Sequence, residues 1–312
     1  MNILITGIHG FVGSNLVSTL KSQHVIYGLD IVSPILEGVS KTYSWIEIDD
    51  IPMVDIVIHL AGMAHDTKNN TEANTYFEIN TGLTMKIYDW FINSSAQKFI
   101  FFSSVKAAAE KVEGILTEEV LPSPVGPYGV SKIEAENYLI SKQLTVASQQ
   151  KKTFILRPSM IHGPGNKGNL NLLYQVVKKG IPYPLGAFKN RRSFTGIDNL
   201  SFIISELIVK DIESGIYNVS DDESLSTSEL ITLMAVNMNK PVRIWNWNKH
   251  LIQFIARIGT IFHLPLNSER LQKLTENYLV SNSKLKNALG ITKLPFNAEE
   301  GFIKTIKSFQ NK

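Results

Sequence analysis

A tyrosine and a lysine four residues apart on a helix can share the handling of one proton. Tyr128 and Lys132, in the stretch PYGVSK, stand at i and i+4 and so project from one helix face. A free phenol, with a pKa of about 10, is a poor base at neutral pH, but a neighbouring ammonium stabilises the phenolate and lowers that value. The phenol can then exchange a proton with a substrate hydroxyl. This spacing is also common on plain solvated helix faces. What sets it apart here is Ser104, which ends the apolar run KFIFFSS and places a hydroxyl at the carboxyl end of a strand, where it would meet the same substrate oxygen. Ser104, Tyr128 and Lys132 are therefore the candidate catalytic set.

A second group suits phosphate. ILITGIHGFVGSNL sets Gly7, Gly10 and Gly13 between a strand and a helix, where a dinucleotide pyrophosphate needs bare backbone and a helix N-terminus. Gly7 permits the tight turn, Gly10 the close approach, and Gly13 the packing of helix on strand. Asp30 closes the next strand, VIYGLD, at the distance expected of a carboxylate that grips ribose hydroxyls. That carboxylate would repel a 2′-phosphate, which favours NAD over NADP.

These residues need a scaffold that brings strand ends together. Short β-branched runs at Asn2–Ile5, His24–Leu29, Trp45–Ile48, Asp55–His59, Lys98–Phe102 and Thr153–Leu156 alternate with helical patterns at Phe11–Leu20, Asn74–Asn93 and Tyr128–Leu144. The alternation predicts an α/β fold with a doubly wound parallel sheet, Rossmann-like, whose ligands lie beyond the carboxyl ends of the strands. After Arg157 the texture changes to Gly/Pro-rich turns and mixed short elements. We expect a dinucleotide-binding domain over residues 1–165, with a helix near 198–212 returning to it, and a smaller C-terminal lobe over 166–312 that binds substrate. The polar stretch Thr67–Thr75 reads as a surface loop. The apolar stretch Leu251–Leu266 holds Arg257, His263 and Pro265, too interrupted to span a bilayer. It reads as an amphipathic helix packed on the core in preference to a membrane-surface element.

With 44% hydrophobic and 19% charged residues, the 312-residue chain can bury enough apolar surface to order itself. Cysteine is absent, which excludes disulfides, Cys-ligated zinc, iron–sulfur clusters and a cysteine nucleophile, and fits the cytoplasm. A net charge of +3 is compatible with anionic small molecules and gives no case for nucleic acid. MNILITG runs directly into a strand without the pattern of a signal peptide.

Taken in order, TGIHGFVG, HLAG (His59–Gly62), Ser103-Ser104, YGVSK and RPSMIHGPG resemble the extended short-chain dehydrogenase/reductase superfamily, in its sugar-nucleotide epimerase, dehydratase and reductase branch. The resemblance implies that Gly7, Gly10, Phe11, Val12 and Gly13 line a pyrophosphate site and that Asp30 holds the adenosine ribose. It further implies that Asp50 and Ile51 contact adenine, that Leu60, Ala61 and Gly62 pass under the cofactor, and that Lys132 also binds the nicotinamide ribose. Asn80, Ser103, Tyr128 and Ser159 join this cofactor set. On the substrate side it implies Ser104, Lys106, Asn169, which opens a helix after GPGNKGN, and Arg192 in RRSFTGIDNL. Lys178, Lys179, Lys189, Arg191 and Arg192 form a cationic cluster suited to a diphosphate.

One departure narrows the reaction. Dehydratases of this family carry an Asp-Glu pair just after the strand-end hydroxyl, because elimination across carbons 5 and 6 needs its own acid and base. Here Val105 and Lys106 follow Ser104, which disfavours dehydration. The expectation is NAD-dependent oxidoreduction at carbon 4 of a UDP-hexose or UDP-N-acetylhexosamine. A 4-epimerase leads, and a 4-reductase of a UDP-4-keto-6-deoxy sugar in polysaccharide biosynthesis is the alternative. A non-catalytic dinucleotide sensor is the remote reading, disfavoured by the intact Ser104, Tyr128 and Lys132. The small Ala107, Ala108 and Ala109 are expected to leave room for a keto sugar to turn. A homodimer is expected through Asn74–Asn93 and Tyr128–Leu144, motivated by Trp90 with Phe91 and Tyr138 with Leu139.

Overall fold

The computed structural model describes residues 1–64, 72–166, 168–262 and 267–310, and excludes the side chains of Asn169 and Lys273. The first strands are β1 (Asn2–Thr6), β2 (Val25–Leu29), β3 (Lys41–Tyr43), β4 (Ile56–His59), β5 (Lys98–Phe102) and the two-residue β6 (Ile115–Leu116). They are followed by β7 (Lys152–Pro158), β8 (Met160–His162), β9 (Arg192–Gly196), β10 (Gly215–Val219), β11 (Ser224–Leu225) and β12 (Leu279–Val280). Seven form one parallel sheet in the order β10-β7-β5-β4-β1-β2-β3. Strand order reverses between β1 and β4, so the turns leaving those two strands open onto one crevice, the position where doubly wound sheets bind ligands.

Both faces of the sheet are covered, which the continuous apolar strands require. Ile3 and Ile5 of β1 point into a core with Leu16, Val17, Ile100, Leu200 and Leu207, whereas Leu4 points to the other face with Val57, Phe99, Ile87 and Phe91. Helix Ile197–Val209 returns to pack beside helix Phe11–Leu20. Strand β10 and the side chains of Leu285, Leu289 and Leu294 join the same body. A separate core of Tyr174, Phe194, Leu230, Met234, Ile252 and Phe302 fills the C-terminal lobe.

The predicted strand Trp45–Ile48 is corrected. Pairing with β2 is made by Lys41–Tyr43, and the Ser44 amide closes a turn by donating to Glu47 Oε2 at 2.8 Å, ahead of the helical turn Ile48–Asp50. Of the predicted loop Thr67–Thr75, residues 67–71 lie outside the described residues, and Ala73 already begins a helix. Helix Tyr128–Leu144 starts earlier, at Gly126, and breaks at Lys142. Phe91 and Leu139, expected as surplus apolar surface, are fully buried inside the subunit, leaving Trp90 and Tyr138 half-buried. The helix in Leu251–Leu266 is Lys249–Ile261, and it packs on the lobe along one side only. Residues 263–266 lie outside the described residues.

Candidate active site

Gly7 leaves β1 with φ +65°, in the left-handed region, and a Cβ there would stand 2.8 Å from the Ala61 nitrogen. The bare turn is thus forced by the HLAG loop crossing above it. Gly13 is equally closed to a side chain, since its Cβ would fall 2.5 Å from the Ile8 carbonyl oxygen. Gly10 meets only the Gly7 oxygen, at 3.1 Å, so its open side faces the crevice at the start of helix Phe11–Leu20. Phe11 and Val12, both part-buried, follow it in the first helical turn. The Asp30 carboxylate is drawn to this turn by the His9 amide at 3.0 Å and the Ile31 amide at 2.7 Å. The cradle and carboxylate fit a dinucleotide: backbone donors for its phosphates and a fixed acceptor for its ribose. Ile51 is buried in the core while Asp50 stays exposed.

A directed hydrogen-bond chain ties this floor to the catalytic helix. The Ala61 amide donates to Thr6 Oγ1 at 3.0 Å, Thr6 pairs with His59 Nδ1 at 2.6 Å, His59 Nε2 pairs with Thr84 Oγ1 at 2.9 Å, and Thr84 donates to the Asn80 carbonyl at 2.6 Å. Because Thr84 spends its proton on Asn80, the bond from His59 must come from Nε2–H, leaving Nδ1 to accept from Thr6. Burial, with the Lys132 charge adding to it, holds the His59 pKa well below its ordinary value and keeps the ring neutral. Asn80 sits in the π-helical turn Phe77–Gly82, a widened turn of a kind often found at functional positions. Its amide bonds the Met63 backbone at 2.7 and 3.1 Å and Ser131 Oγ at 2.9 Å, and Ser131 in turn donates to the Tyr128 carbonyl at 2.9 Å. A Cβ on Gly62 would lie 2.9 Å from Asn80 Oδ1 and 3.1 Å from Lys132 Nζ. The HLAG loop, Asn80 and Lys132 are therefore packed on one another.

Lys132 is buried and donates to the Phe102 carbonyl at 2.9 Å, with its ammonium 5.0 Å above the Phe101 ring. Burial brings its pKa down to about 8, while Glu136 one turn on pulls it back up. Tyr128 does not follow the sequence expectation in the free protein: burial raises its phenol above the ordinary value, the Ser104 hydroxyl beside it pulling the other way. The ring of Tyr76 meets it edge-on at 6.4 Å. Ser104 caps the short helix Val105–Ala108, accepting from the Lys106 amide at 3.2 Å. Ser103 differs in role from its neighbour, because its hydroxyl is committed to Glu136, which also holds Arg157 Nε at 2.9 Å. Ser159 pairs with Thr195 Oγ1 at 2.8 Å in a buried contact.

On the substrate side Lys106 and Arg192 converge. Lys106 Nζ lies 3.2 Å from Glu110 and 4.5 Å over the Tyr278 ring, and Arg192, its pKa lowered by burial, feels Glu276, Tyr278 and Glu110. Asn169 begins helix Asn169–Lys178 as predicted. The cationic cluster does not act as a unit. Lys178 and Lys179 end that helix, about 14 Å from its start, and Arg191 turns away to Ser224 and Glu229. The room expected beside Ala107, Ala108 and Ala109 is filled, since all three are buried and the last two pack with Leu116, Tyr278 and Val280. Sequence reasoning missed Glu136, Arg157 and Tyr278. Glu136 carried a signal, standing four residues after Lys132 on the same inward helix face.

The model of the NAD dependent epimerase/dehydratase family matches residues 3–220. The chain is similar to the UDP-glucose 4-epimerase of Vibrio cholerae, 32% identical over 99% of this chain and 95% of that protein. It is similar, at 26% identity over 75% of this chain and 79% of the relative, to the GDP-6-deoxy-D-mannose reductase of Pseudomonas aeruginosa. Its fold matches that of the UDP-glucuronic acid 4-epimerase of Bacillus cereus, solved in complex with NAD, with a TM-score of 0.75 and 20% identity over 100% of this chain and 97% of the other. With a glycine cradle at the switch point and a Ser, Tyr and Lys set at the strand ends, the chain belongs to the NAD dependent epimerase/dehydratase family.

Proposed function

We propose that this protein is a 4-epimerase of a UDP-hexose, with a UDP-N-acetylhexosamine as the preferred form, and that Tyr128, Ser104 and Lys132 carry the chemistry. The observation that carries the reading is the pairing of Ser104 with Tyr128, with Lys132 buried one helical turn on from Tyr128 and with Val105 and Lys106 after Ser104 in place of a second carboxylate pair. An NAD held by this cradle would supply the acceptor, and then the donor, of the carbon 4 hydride. Tyr128 takes the proton of the 4-hydroxyl and gives it back after the sugar has turned, and Ser104 holds that oxygen in line. Lys132, held by the Phe102 carbonyl one helical turn on from Tyr128, supplies the positive charge of the site and binds the nicotinamide ribose. Gly7, Gly10, Phe11, Val12 and Gly13 hold the pyrophosphate, Asp30 the adenosine ribose, and Asp50 and Ile51 the adenine. Leu60, Ala61, Gly62, Asn80, Ser103 and Ser159 complete the cofactor site, while Lys106, Asn169 and Arg192 take the nucleotide diphosphate and sugar.

UDP-N-acetylglucosamine incubated with the enzyme, without added NADH, should yield its 4-epimer by NMR. The similarity to a deoxysugar reductase favours one second reading, a 4-reductase. Absence of epimer, with stoichiometric loss of NADH on a UDP-4-keto-6-deoxy-N-acetylhexosamine, would establish it. The subunits pair through the helices spanning 73–93 and 126–141, where Met85 and Ile140 are exposed beside Trp90 and Tyr138. Sedimentation at micromolar concentration showing only a 34.9 kDa species would remove that pairing.

A further inference from the structure

Helix Lys249–Ile261 spends only part of its apolar surface on the protein. Ile252, Ala256 and Gly259, at i, i+4 and i+7, are buried against the lobe. Beside them runs a second stripe in which Leu251, Ile255, Ile258 and Phe262 repeat at i, i+4, i+7 and i+11, flanked by Phe254 and Ile261. Leu251, Phe254, Ile261 and Phe262 are 50%, 60%, 71% and 68% exposed. Single exposed apolar residues are ordinary, but a continuous stripe on one helix is not. Just before the helix, an extended segment leaves Trp245 and Trp247 about half exposed with their rings stacked 6.1 Å apart.

The surrounding charge selects the occupant. From residue 230 to residue 268 the sequence holds no Asp or Glu, and Lys249 and Arg257 lie on the helix itself, while Lys240 and Arg243 are bound to the Lys178 and Gly180 carbonyls; Glu269, on the neighbouring helix Ser268–Thr275, is the nearest acid in sequence. Arg257 and His250 are exposed along the polar edge of the stripe. A second copy of the chain laid on this face would set cations against cations. An anionic lipid bilayer instead meets each feature: aliphatic side chains reach the acyl boundary, tryptophan rings sit among headgroups, and Lys and Arg face lipid phosphates. The helix, about 20 Å long, would lie in the interface plane, and among the described residues no helix is long and apolar enough to cross.

We propose that this face, Trp245 and Trp247 with the outer stripe of helix Lys249–Ile261, docks the enzyme reversibly on anionic membranes. This goes beyond the plainer expectation of an amphipathic helix packed on the core, in favour of the membrane-surface reading, and it is independent of which sugar the site accepts. The test is sedimentation of the full chain with phosphatidylcholine vesicles and with vesicles of phosphatidylcholine and phosphatidylglycerol at about three to one. The wild type should partition onto the anionic vesicles, with a blue shift in tryptophan emission. Partition should fall about tenfold or more in the Phe254→Glu, Ile261→Glu double variant, and should fall again as salt rises from about 0.1 to about 0.5 M. Calorimetric NAD binding should be unchanged in the double variant, which reports an intact fold. The proposal is overturned if the wild type stays in the supernatant with both vesicle types, or if the double variant binds equally well. It is also overturned if lipid-free sedimentation shows self-association that the double variant abolishes, because a second copy then covers the stripe.

Discussion

Lys132→Met should give a protein that is more stable and catalytically impaired, and the stability gain should depend on pH in a defined way. Burial lowers the ammonium pKa from 10.5 to about 8. At 1.36 kcal/mol per unit, holding the charge inside costs about 3 kcal/mol at neutral pH. Methionine keeps most of the stem's packing but removes the donor to the Phe102 carbonyl, which costs back about 1–2 kcal/mol. The net expectation at pH 7 is a gain of about 1–2 kcal/mol, read by urea denaturation of the cofactor-free protein. Between pH 8 and 10.5 the unfolded wild type binds a proton that the folded form has released, so wild-type stability rises with pH through that window. The variant has no such group, so its advantage is full below about pH 8, shrinks by about 1.36 kcal/mol per pH unit above it, and reverses sign near about pH 9. A variant less stable than wild type at pH 7, or a difference that stays flat from pH 7 to 10, would refute the reasoning.

Tyr128→Phe removes only the hydroxyl, so turnover should fall by at least about 10²-fold while calorimetric NAD affinity stays within about twofold. Asp30, fixed at the glycine turn by two backbone amides, should make NAD bind more tightly than NADP; titration of the unmutated protein finding the reverse would overturn its role. Gly7→Ala meets both a left-handed backbone and the Ala61 nitrogen, so a loss of about 2 kcal/mol or more is expected in urea denaturation, together with weakened NAD binding. Glu136→Gln takes away the carboxylate that supports the Lys132 charge. The Lys132 pKa should then drop below about 8, moving the alkaline limb of the kcat/KM profile to lower pH.

The parallel sheet was legible because β-branched runs separated by helix-length intervals admit few other arrangements, and the glycine turn because its spacing fell between a strand and a helix. Trp45–Ile48 misled because its apolar content serves a turn that covers the sheet, whereas the pairing strand Lys41–Tyr43 is too short and polar to stand out. The three alanines misled in another way. Small side chains signal either space or close packing, and only tertiary contacts, here with Tyr278 and Val280, decide between them. Tyr278 itself could not be found from sequence, because it reaches the site through a bridge to Arg192 that joins residues far apart in the chain. The cationic cluster failed for a related reason, since adjacency along the chain did not keep Lys178, Arg191 and Arg192 facing the same way.

The catalytic helix is fixed at positions that share one inward face. Ser131 is bound to Asn80, Lys132 to the end of β5, and Glu136 to both Ser103 and Arg157 of β7. Each anchor is a buried polar group that would destabilise the protein if left alone, and each is satisfied only when helix and strand ends are in register. The Glu136–Arg157 pair lies wholly inside, where attraction barely offsets the loss of water, so its presence is better explained by what it fixes than by the stability it adds. What it fixes is Ser103, the residue preceding Ser104, and the local potential at Lys132. A lysine buried among Phe101, Phe102 and the HLAG loop would otherwise drift further toward its neutral form, and a neutral amine could not support a phenolate on Tyr128.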